Sequence, residues 1–89
     1  MITVSEAARR RIEGMLADSH VDLAVRIVTI GDFIWTCRIE PPQADDTVIS
    51  WATGCVAVDK ILSEYYRHTN VELDIDDSSV RGLKFVAVK

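Results

Sequence analysis

The run Leu23-Ala24-Val25-Arg26-Ile27-Val28-Thr29-Ile30, Gly31-Asp32, Phe33-Ile34-Trp35-Thr36-Cys37-Arg38-Ile39-Glu40 holds two β-rich segments on either side of a Gly-Asp pair. Glycine takes positive φ readily, so Gly31-Asp32 predicts a tight turn and the whole run a hairpin. Side chains alternate along a strand, which puts Phe33, Trp35, Cys37 and Ile39 on one face. Asp32, Ile34, Thr36, Arg38 and Glu40 fall on the other. The first face is strongly apolar and is expected to turn towards the core. A catalytic or metal-binding group would sit naturally at the bend, and the residues there form no reactive constellation.

Outward from the hairpin, the chain alternates strands with two helices. Met1 to Val4 reads as a short strand. Ser5 is a good N-cap, with Thr3 and Glu6 as a second capping option one turn earlier. A helix is expected from Glu6 to Ala17, its inward stripe being Ala8, Ile12, Met15 and Leu16. Arg9, Arg10 and Arg11 are diluted by Glu6 and Glu13, and the pairs Glu6–Arg10 and Arg9–Glu13 predict a solvated face. His20 reads as a loop histidine. Beyond the hairpin, Pro41-Pro42-Gln43-Ala44-Asp45-Asp46 cannot continue a sheet. Thr47–Trp51 and Cys55–Val58 predict strands joined by a turn at Thr53-Gly54. Asp59 is expected to cap a helix from Lys60 to Arg67, with Ile61, Leu62, Tyr65 and Tyr66 as its apolar side. Val71–Ile75 and Leu83–Val88 complete the strands. Residues 1–89 read as a single domain of mixed α and β structure.

Composition narrows the function. A hydrophobic fraction of 48% argues against disorder. No run approaches the roughly 20 apolar residues of a membrane span, and the N-terminus lacks a secretory pattern, so a cytoplasmic protein is expected. A net charge of −4 disfavours nucleic acid. Cys37 and Cys55 form no C-x-x-C and have no histidine nearby, so zinc is unsupported and the thiols should stay reduced. The acid groups Asp45-Asp46 and Asp74, Asp76, Asp77 lack the ligand spacing of a calcium loop and read as solvated. Cys37 shares a face with Trp35 and predicts an inert buried thiol. Cys55, beside the Gly54 turn, is the more exposed. No nucleophile elbow, phosphate loop or H-x-x-x-H spacing exists, so no catalytic residue and no enzyme is expected. Trp35 reads as a core anchor; Trp51 is either another or part of a subunit interface.

Several strings together resemble the HesB-like family, the A-type iron–sulfur cluster carriers. They are Ile2-Thr3-Val4-Ser5-Glu6-Ala7-Ala8, Leu23-Ala24-Val25-Arg26, Thr29-Ile30-Gly31-Asp32, the strand ending at Glu40 with its proline-bearing acidic loop, Val58-Asp59, Leu73-Asp74-Ile75 and Gly82-Leu83-Lys84-Phe85. The resemblance implies an α+β, mostly β fold: a pseudo-barrel of small mixed sheets with an N-terminal helix and one inner helix. In that family one cysteine of the Gly-containing turn and a Cys-x-Cys near a C-terminal tail hold iron or a cluster. Here the turn position carries Asp32, Cys37 falls five residues later inside the strand, and the residues after Phe85 contain no cysteine. Cluster iron wants thiolates, and one carboxylate cannot hold a cluster. No metal or cofactor ligand therefore carries over.

The sequence thus predicts a HesB-like domain without the family's ligands, acting as a non-catalytic binding or interaction module. Its expected partner is another protein or a second copy of itself. The alternative is an atypical carrier or iron-binding protein in cluster assembly, using Cys37 or Cys55 across a dimer, with Asp32 as a further candidate ligand. An enzyme built on an exposed Cys55 ranks last.

Overall fold

The computed structural model describes residues 1–19, 22–32 and 34–88. His20 and Phe33, both named above, lie outside them. Nine elements follow in order: β1 (Ile2–Val4), α1 (Glu6–Leu16), β2 (Ala24–Gly31), β3 (Ile34–Glu40), β4 (Thr47–Trp51), β5 (Gly54–Val58), α2 (Lys60–Tyr65), β6 (Val71–Ile75) and β7 (Leu83–Ala87). The architecture is mostly β, with two small mixed sheets, an N-terminal helix and a second, short helix, as the sequence predicts, although α2 buries only Leu62 and is not an inner helix. The sheets are open: β1-β6-β7 and β3-β2-β5-β4. In the first, β1 runs parallel to β6, and β6 and β7 are antiparallel. In the second, β2 and β5 are parallel, and β3 and β4 flank them antiparallel.

Ile12, Val25, Ile27, Val56, Val58, Leu73 and Leu83 are fully buried and come from both sheets and α1, so the molecule has one core. α1 begins where expected because the Ser5 hydroxyl accepts from the Ala8 amide at 3.0 Å. Thr3 is taken up by β1, so the second capping option is not used. Ala8 and Ile12 are buried, with Met15 and Leu16 packed against the core.

Four expectations are corrected. Gly31 belongs to β2 rather than to the turn, since it pairs with Ile34 across the hairpin and a register shift falls between Thr29 and Gly31. Gly31 does not take positive φ; the left-handed glycine is Gly82, at φ 74°. On β3, Trp35 is buried and Cys37 packs on the core, but Ile39 is exposed. β3 is an edge strand, and its far end overhangs the core. On α2, Leu62 and Tyr66 face inward while Ile61 and Tyr65 are exposed. The helix thus packs along the Leu62–Tyr66 line and leaves the neighbouring Ile61–Tyr65 line outside.

Side-chain partners also depart from the simple readings. Glu6–Arg10 pairs at 2.6 Å, but Glu13 accepts from Trp51 Nε1 at 2.8 Å and from the Thr53 hydroxyl. Arg9 lies over the Trp51 ring at 5.2 Å. The half-buried Trp51 is thus clamped between α1 and the β4–β5 turn. Asp46 is not solvated: its side chain is 1% exposed and takes a bidentate contact from Arg26, at 2.6 and 2.9 Å.

Candidate functional site

The hairpin bend and α2 converge because of one buried acid. Asp59 accepts from the Leu62 amide at 3.0 Å, capping α2. The same carboxylate accepts from the Thr29 amide at 2.6 Å and the Thr29 hydroxyl at 3.1 Å. It therefore ties the start of the helix to the last turns of β2. Its role as a cap is legible in the sequence; its hold on Thr29, thirty residues away, is not.

Between these elements lies a cleft of about 430 Å³, lined by Thr29, Gly31, Asp32, Ile61, Leu62 and Tyr65. That volume lies within the roughly 300–1,000 Å³ usual for binding clefts. Its walls are chiefly apolar, and among the described lining residues Asp32 is the single charged one. Asp32 is exposed and has no hydrogen bond or ion pair among the described residues. Apolar surface continues from the cleft onto its neighbour Ile34: Ile61 is 63% exposed, Tyr65 59% and Ile34 57%. The Ile34 side chain comes within 3.9 Å of where a Cβ on Gly31 would stand. Contiguous exposed apolar side chains mark interaction surfaces more often than isolated ones do.

The two thiols do not join this cleft or each other. Cys37 stands opposite Ile27 on β2, and Ile27 opposite Val58 on β5, so all three point to the core side. Cys55 is three residues before Val58, an odd step along the strand, and points to the opposite side. It lines a different recess, with Trp51, Thr53 and Ser50. Burial pushes the Cys37 thiol up to about 11, against a smaller opposing pull from Arg81. Burial raises Cys55 as well. Thiolate chemistry needs the reverse shift. Among the described residues no three His, Cys, Asp or Glu side chains gather as a metal ion requires. Asp32, Cys37 and Cys55, the candidates of the carrier alternative, thus sit at three separate places on one chain.

Beside the cleft, an aromatic series links the sheets. Tyr65 meets Tyr66 at 4.9 Å, Tyr66 meets Phe85 at 4.9 Å, and Phe85 meets Trp35 edge-on at 5.4 Å. Arg81 caps it, 4.0 Å over the Trp35 ring and donating to the Trp35 carbonyl at 3.2 Å.

This arrangement of two open mixed sheets and two helices has a neighbour among solved structures. Escherichia coli SufA, a protein involved in the biosynthesis of iron–sulfur clusters, superposes with a TM-score of 0.68 over 97% of this chain and 84% of its own, at 18% identity. IscA with a [2Fe-2S] cluster gives 0.49 over 98% and 85%, at 16% identity. At such identities the likeness is one of fold. No family model matches the sequence, and no curated protein does. No helix among the described residues is long and apolar enough to cross a membrane.

Proposed function

We propose that this chain is a non-catalytic binding module on the A-type carrier fold, with the cleft between the hairpin bend and α2 as its contact surface. The reading rests on one observation. At the bend, where the resemblance would put a cysteine ligand, stands Asp32, unpaired among the described residues, on the rim of an apolar cleft. A hard carboxylate beside apolar side chains suits recognition of a partner better than retention of soft-ligated iron. The two thiols add to this. One chain presents them on opposite sides of a sheet, so it cannot offer both to one ion.

Anaerobic reconstitution with iron and sulfide, followed by size-exclusion chromatography and absorbance, tests the reading. The expected outcome is a colourless protein with no bound sulfide. A visible charge-transfer band eluting with the chain and lost in Cys37→Ser or Cys55→Ser would replace the binding module by the carrier.

A further inference from the structure

Resting on that contact surface, we infer that the cleft takes a partner-protein segment in which apolar side chains flank a lysine or arginine. The apolar side chains seat against Ile61 and Tyr65 and the cation lies against Asp32. The polar groups of the wall set the sign of the charge. The Thr29 amide and hydroxyl and the Leu62 amide already donate to Asp59, so these donors are spent. What faces the ligand with a formal charge is the Asp32 carboxylate. Cations in the neighbourhood are engaged or turned away. Arg67 pairs with Glu64 at 3.6 Å, and Lys60 lines the neighbouring recess with Arg26 and Asp46. A chain of net charge −4 adds a long-range preference for basic partners. The partner is a polypeptide rather than a small molecule because the exposed apolar surface runs past the lining residues onto Ile34, beside Gly31, which a ligand confined to 430 Å³ would leave bare.

The test is an amide-shift titration of the isotope-labelled full chain with three blocked tripeptides, Leu-Lys-Leu, Leu-Gln-Leu and Leu-Glu-Leu. Saturable shifts are expected at Gly31, Asp32, Ile61 and Tyr65, with the lysine peptide bound about fivefold more tightly than the glutamine one and the glutamate peptide weakest. Asp32→Asn should bring the lysine and glutamine peptides to equal affinity. Ile61→Ser should weaken all three. Both positions are exposed, so folding is retained. Equal binding of the three peptides at the cleft overturns the cation preference and leaves the contact surface standing. Absence of shifts at the cleft with every peptide overturns both.

Discussion

Asp59 gathers three donors on one carboxylate, and two of them lie thirty residues back along the chain. Replacing it strands the Thr29 and Leu62 amides together. Asp59→Ala should therefore cost about 2–3 kcal/mol in urea unfolding, the sum of a lost cap and unsatisfied donors. Thr29→Val removes one hydroxyl bond and should cost only about 1 kcal/mol. Equal losses would mean that the cap alone matters. Cys37 offers a second measurement. Its thiol is raised from 9.0 to about 11 in the folded protein, so the neutral form is the one favoured by folding. That contribution is complete below the unfolded value and is lost as pH rises from about 9 to about 11. Cys37 should accordingly resist iodoacetamide at pH 8 while Cys55, whose shift is smaller, is labelled first. Removing the nearby charge with Arg81→Ala should raise Cys37 further. Faster labelling of Cys37 in that variant would contradict the assignment.

At the scale of elements, the loop from 41 to 46 is fastened to the outer face of β2. Arg26 is gripped by Asp46 and also reaches Glu40 at 3.0 Å. Arg26 hydrogen bonding holds the Asp46 carboxyl below its ordinary 3.8, so its contribution is present above that value and is lost as pH falls through the folded one. Asp46→Asn should cost about 3 kcal/mol at neutral pH by leaving Arg26 half-paired. It should also flatten the loss of stability below pH 4, as followed by circular dichroism during acid titration. Neither consequence was legible in the sequence, because Asp46 beside a proline pair looks like any turn acid and its partner is twenty residues away. The helix starts were legible, since Ser5 and Asp59 carry their signals within three residues. The two faces of the hairpin were legible for Trp35 and Cys37 but not for Ile39, whose fate depends on how far the core extends beneath an edge strand. The cleft escaped notice for a related reason. Ile61 and Tyr65 carry the same apolar signature as the buried Leu62, and only the placement of α2 separates them. The sidedness of the thiols required the parallel β2–β5 register, which no local pattern encodes.

For the molecule as a whole, two small sheets share one set of buried side chains and one aromatic series. Separating them would uncover Ile27 and Val58 on one side and Leu73 and Leu83 on the other. Unfolding should therefore be a single transition, with tryptophan fluorescence and far-ultraviolet circular dichroism coincident in urea. Two resolved midpoints would show that the sheets are independent. Trp51 in the four-stranded sheet and Trp35 against Phe85 of the three-stranded one make the experiment informative in both halves.

The pairing of Ile2 with Val71 and Val4 with Leu73 has a bearing on how the polypeptide is made. A ribosome adding roughly 5–20 residues each second needs several seconds to pass from one to the other. Through that interval β1 lacks β6, the strand it pairs with. Ala8 and Ile12 meanwhile lack β6, one of the strands they finally pack against. The nascent protein must carry β1 and α1 without that strand until β6 has emerged, a natural occasion for chaperone contact.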